Sequence, residues 1–156
     1  MGRCKNMADV RFKISAVSES PTKVRVKARK FTMIIDEPPN LGGTDEGANP
    51  LEYVLSALAG CLNVVGHVVA REMRINIRHL SIEVTGTLNP DKCFGKSAQD
   101  RAGFKNIDVT IKVDSDADET KLKEWVEKVE DRCPVSDNLQ NPTPMNIKVE
   151  RIRRKQ

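Results

Sequence analysis

Four cysteines are the residues in this 156-residue chain whose chemistry a single sequence can weigh: Cys4, Cys61, Cys93 and Cys133. None forms a CxxC pair and none clusters with histidine, so the usual zinc spacings are absent and no metal site is expected. What remains is thiol chemistry, in which the thiolate is the nucleophile and its activation requires a nearby cation or a helix N-terminus. Cys61 sits in Leu58-Ala59-Gly60-Cys61-Leu62, flanked by small residues that let another backbone or a ligand approach. Without a cation from another segment it reads as a core thiol. His67 lies six residues later, roughly 240° round a helix, and does not form a local dyad with it. His67 and His79 read as structural or surface residues. Cys133 precedes Pro134, which biases it away from helical backbone, so it is either the end of one helix or the cap of a short one.

The elements that must position these thiols are set by periodicity. Val10, Phe12, Ile14 and Ala16 alternate with mostly polar neighbours and predict a strand. Val24, Val26 and Ala28, then Phe31, Met33 and Ile35, form either one long strand or a hairpin turning near Arg29, where no Gly or Asn marks a turn. Asp36 to Asn49 is rich in Pro and Gly and must be loop. Asn49 as N-cap and Pro50 as first helical residue predict a helix to about Met73. Only Glu52, Asn63 and His67 are strongly polar between Leu51 and Ala70, so that helix is expected to be buried on several sides. A bilayer span is disfavoured by those three groups and two glycines. So apolar a helix in so short a chain points to a dimer.

Three further strands are expected around Leu80–Val84, Ile107–Val113 and Met145–Val149, with Asn89 to Gly103 a long loop. Asp116-Ala117-Asp118-Glu119 reads as a capping box opening a second helix with Leu122, Trp125, Val126 and Val129 at helical spacing. Cys133 lies eleven residues after Leu122, only about 20° off that stripe, and should point inward.

Composition limits the classes of function. The 26 basic and 22 acidic residues leave a net charge of +4, and aromatics make up only 4%, too few for a base-stacking surface. The length fits one domain, expected over residues 9–153, with a flexible N-terminus at 1–8 and a basic tail at 154–156. No nucleic acid or membrane partner is expected, and the reading is cytoplasmic.

The run Asp36-Glu37-Pro38…Leu41-Gly42-Gly43…Gly47-Ala48-Asn49-Pro50-Leu51-Glu52-Tyr53…Ala57-Leu58-Ala59-Gly60-Cys61, continued by Arg132-Cys133-Pro134-Val135-Ser136, resembles the OsmC/Ohr family of osmotically inducible and organic hydroperoxide resistance proteins, in its OsmC-like redox branch. The resemblance implies an α+β fold and an intertwined homodimer, with antiparallel sheets wrapping long central helices. It also implies a thiol-dependent peroxidase acting on organic hydroperoxides, with Cys61 as the peroxidatic and Cys133 as the resolving cysteine. A dithiol reductant, protein or small thiol, would complete the cycle without metal or other cofactor. Members resembling strong peroxidases carry a carboxylate directly after Asn-Pro. Here Leu51 holds that position and the carboxylate falls on Glu52, about 100° round the helix. Arg29, with Arg25 second, is the candidate activating cation on the strand before the loop. Cys4 and Cys93 have no counterpart in the pattern. The competing expectation is a non-catalytic protein that binds a small molecule or senses redox state through the same thiols.

Overall fold

In the computed structural model, which describes residues 9–152, three helices and two antiparallel sheets match the expected periodicities closely, with differences at both ends of the chain. The Cys4 and basic-tail expectations lie outside these residues. The chain divides into two compact units, one up to Val54 and one from Leu55 onward.

The first unit holds β1 (Ser15–Ser18), β2 (Val24–Ala28) and β3 (Phe31–Ile35), in the order β1-β2-β3. The hairpin alternative is the correct one: Ala28 pairs with Phe31, and Arg29 takes a left-handed φ of 55° at the turn. The turn uses neither Gly nor Asn, and the Arg29 guanidinium lies 5.1 Å from the Phe31 ring. The loop beyond β3 is organised by Asp36, a fully buried carboxylate. It accepts hydrogen bonds from Thr44 Oγ1 (2.7 Å) and from the amides of Thr44, Glu37 and Glu46. The Thr44 hydroxyl and these amides hold its pKa far below the ordinary carboxylate range. Gly43 is required there: a Cβ would lie 1.6 Å from the Glu37 carbonyl oxygen.

α1 (Pro50–Glu72) starts as expected from Asn49. Asn49 Oδ1 accepts from the Glu52 amide (2.9 Å), and Glu52 Oε2 accepts from the Asn49 amide (2.7 Å), a reciprocal cap. By length and composition alone α1 is long and apolar enough to cross a membrane. Its buried residues, Leu58, Leu62, Gly66, Val69 and Ala70, form one stripe. The expectation of burial on several sides does not hold within one chain: Val64 is 61% and Val68 41% exposed.

The second unit adds β4 (Ile77–Thr87), β5 (Asn106–Ser115), α2 (Glu119–Arg132) and α3 (Pro134–Gln140). In the β4–β5 pair, Leu80 faces Val113 and Ile82 faces Ile111. A register irregularity between Ile77 and His79 lets Ile77 and Leu80, three residues apart, both turn toward the core. α2 begins slightly later than its sequence suggests. Asp118 caps it, accepting from the Lys121 amide, because the Asp116 carboxylate is bound to the Asn76 amide instead. The core of this unit is Leu58, Leu62, Val69, Ala70, Ile75, Trp125, Val129 and Cys133.

The strands expected over Val10–Ala16 and Met145–Val149 are not formed as expected. The first is confined to Ser15–Ser18, and residues 142–152 carry no regular structure. Their alternating apolar residues stand exposed, Phe12 and Val149 at 91% and 95%, because among the described residues no strand pairs with residues 9–14 or 142–152.

Candidate functional site

Cys61 lies mid-way along α1, between the buried Leu58 and Leu62, and is itself half-buried against the second unit's core. Cys133 is fully buried and completes the α2 stripe with Trp125 and Val129, as the helical phase predicts. The two alternatives left open for it both hold. It is the C-cap of α2, with extended backbone at φ −80° and ψ 108°, and the N-cap of α3. Its Sγ accepts a hydrogen bond from the Ser136 amide at 3.4 Å.

Two contacts seat α2 on α1. The Trp125 indole N–H donates to the Gly66 carbonyl at 2.9 Å, and a side chain at Gly66 would meet the ring at 3.1 Å, so glycine is what lets the indole approach the helix. Arg132, next to Cys133, forms two hydrogen bonds to the Glu72 carboxylate at 2.5 and 3.1 Å. Cys133 is thereby delivered beside Cys61. Burial is the main influence on Cys61 and raises its thiol pKa; the Val135 amide opposes this, and the neighbouring Cys133 side chain adds to the rise.

The remaining candidates belong to the first unit and have partners there. Arg25 Nε donates to Glu19 Oε1 at 2.5 Å, Arg29 forms the hairpin turn, and the Glu52 carboxylate closes the cap of α1. Of the five residues singled out, Cys61 and Cys133 are brought together in the second unit. Cys93 is exposed. A shallow pocket of about 200 Å³ opens between α1 and β4, lined by Leu55, Ser56, Ala59, Ile82 and Val84. Sequence reading missed Ser136 and the Val135 amide. The signal available was Cys-Pro-Val-Ser itself, a capping residue with proline next to it at the first helical position.

Residues 43–148 match the family described as OsmC-like protein. The chain belongs to that family. This OsmC-like protein is 28% identical over 141 residues to the hydroperoxide reductase of Mycoplasma pneumoniae, covering 90% of this chain and 95% of that protein. Its fold is similar to the crystal structure of an OsmC-like protein from Mycoplasma pneumoniae, with a TM-score of 0.75, 26% identity and coverage of 85% and 89% of the two chains. The organic hydroperoxide resistance protein OhrB of Bacillus subtilis is similar at a TM-score of 0.55 and 26% identity, over 82% and 89%. The α+β architecture with antiparallel sheets is that of the family.

Proposed function

We propose that this OsmC-like protein is a two-cysteine peroxidase that reduces organic hydroperoxides. The observation that carries the reading is the pairing of Cys61 with Cys133, two thiols from separate segments meeting in one buried cluster. The names of the relatives, a hydroperoxide reductase and an organic hydroperoxide resistance protein, agree with it.

In the reaction, the Cys61 thiolate attacks an oxygen of the hydroperoxide, and the O–O bond breaks. The departing alkoxide takes a proton and leaves as the alcohol, while Cys61 becomes a sulfenic acid. The Cys133 thiol then attacks the Cys61 sulfur, water departs, and a disulfide remains for an external dithiol to reduce by exchange. The raised pKa of Cys61 means that burial alone favours the unreactive thiol, so a cation has to be supplied from outside this cluster. Arg29 is the first candidate and Arg25 the second, as the family resemblance implies; Arg29 lies over the Phe31 ring and Arg25 is paired with Glu19, so either would have to leave its partner.

The functional form is a homodimer. The apolar face of α1 at Val64 and Val68, together with the bare alternating segments at Phe12 and Ile147, is surface that a second copy would cover. A second reading, binding of a small apolar molecule with the thiols as redox sensors, is favoured by the pocket at Leu55 and Ile82 and by the use of Glu52 as a cap.

Consumption of cumene hydroperoxide with excess dithiothreitol separates the two. Turnover by wild type that is lost in Cys61→Ser supports the peroxidase, with Cys133→Ser losing activity only as its unresolved Cys61 sulfenic acid over-oxidises. Equal slow consumption by all three proteins would favour the binding reading.

A further inference from the structure

We infer that formation of the Cys61–Cys133 disulfide releases α3, making Pro134–Gln140 the part of the second unit that changes with redox state. The inference rests on the cysteine pairing proposed above and adds its structural consequence. A disulfide holds its sulfurs about 2.05 Å apart, well inside the contact distance of two thiols, so one of the two must move. Cys61 is fixed in the interior of a 23-residue helix, with Leu58 and Leu62 buried on either side of it. α2 is held by the Trp125–Gly66 hydrogen bond and the fully buried Val129.

The part free to give is the corner at Cys133 together with α3 beyond it. Cys133 is the non-helical residue between α2 and α3, and its sulfur is also the side-chain cap of α3. Pulling Sγ toward Cys61 therefore removes the acceptor of the Ser136 amide. α3 has seven residues, too few to be stable without tertiary support. Its other supports are Val135 and Leu139 packed at the edge of the core, the buried Ser136, the Val135 amide facing Cys61, and local side-chain hydrogen bonds. These run from Gln140 Nε2 to Ser136 Oγ at 2.9 Å, Asn138 Nδ2 to the Pro134 carbonyl at 2.6 Å, Asn141 Nδ2 to Asp137 Oδ1 at 2.9 Å and Thr143 Oγ1 to Asn138 Oδ1 at 2.8 Å. The same Gln140 amide reaches Glu130 Oε1 at 3.4 Å, the one side-chain hydrogen bond from α3 back to α2 among the described residues. The step itself balances: the Cys61 sulfenic acid and the Cys133 thiol give the disulfide and water, the oxidant being an organic hydroperoxide. Diamide reaches the same disulfide directly, taking up two electrons and two protons from the thiol pair.

The test is hydrogen exchange read by peptide mass on the full chain carrying Cys4→Ser and Cys93→Ser, reduced and after diamide oxidation, with the 61–133 linkage verified by digestion. Amides of residues 136–141 are expected to exchange about fivefold faster or more in the disulfide form, the scale of a lost helix cap, while those of α1 and α2 hold. Cys133→Ser, which keeps a capping oxygen, should show no change on the same treatment. Gln140→Ala should bring the reduced protein part of the way to the oxidised rate. Unchanged protection over 136–141 with the disulfide present would overturn the inference, as would failure of diamide to link the two cysteines. A disulfide that loosens α3 in a protein that does not consume hydroperoxide would leave the inference standing and remove the peroxidase reading.

Discussion

The helices α1 and α2 meet in the same core and carry the two thiols, yet they relate to the rest of the chain differently. α2 is amphipathic: Trp125, Val129 and the capping Cys133 are buried, Leu122 is half-buried, Val126 is 37% exposed, and its other positions are largely charged or polar. α1 buries one stripe in the same way but leaves Val64 and Val68 facing outward. The bare apolar surface is larger on α1, where Val64 is 61% exposed, than on α2, where Val126 alone stands out. The surplus apolar surface on α1 is what the proposed dimer would cover, and it lies on the helix that bears the proposed nucleophile.

The contrast can be broken from either side. Trp125→Ala removes the buried indole and its hydrogen bond to Gly66, and should cost about 3–5 kcal/mol in urea unfolding, the range for deleting a core aromatic. A loss below about 1 kcal/mol would mean that α2 is not seated as described. Val64→Asp places a charge on the bare face of α1. If that face belongs to a second copy, sedimentation should show the dimer weakened at least about tenfold, or 1.4 kcal/mol, with the isolated chain's stability nearly unchanged. An unaltered association constant would contradict the dimer face.

The pH dependence of Cys61 sharpens the same comparison. Burial first, and the Cys133 neighbour with it, raise its thiol pKa against the opposing Val135 amide, so a nearby cation is needed to favour the thiolate. With Arg29 as that cation, the midpoint for iodoacetamide modification should rise by about one pH unit in Arg29→Ala, worth about 1.4 kcal/mol. A midpoint that does not move would remove Arg29 from the site. Asn49→Ala and Asp118→Ala, which delete the caps of α1 and α2, should each cost about 1 kcal/mol in thermal or urea unfolding.

Much of this arrangement is legible in the sequence, for reasons that lie in particular residues. Asn49-Pro50 marks the start of α1, and the phase from Leu122 to Cys133 places the second thiol inward. The hairpin at Arg29 is ambiguous in the sequence because an arginine takes the left-handed position usually signalled by glycine or asparagine. Asp116 and Asp118 are equally good caps by type, and the tertiary bond from the Asn76 amide selects between them. The alternation at Val10–Ile14 and Met145–Val149 is that of strands, but alternation cannot reveal whether a pairing edge lies in the same chain. The sulfur cap of α3 and the amide of Val135 involve backbone groups, to which residue type gives little access.

The most direct measurement is intact mass and free-thiol count after one equivalent of cumene hydroperoxide, compared among wild type, Cys61→Ser and Cys133→Ser. The two-cysteine account predicts rapid loss of two thiols to a Cys61–Cys133 disulfide in wild type. It predicts no rapid oxidation in Cys61→Ser, and a sulfenic or over-oxidised Cys61 in Cys133→Ser. Wild type and Cys61→Ser reacting at the same slow rate would contradict it.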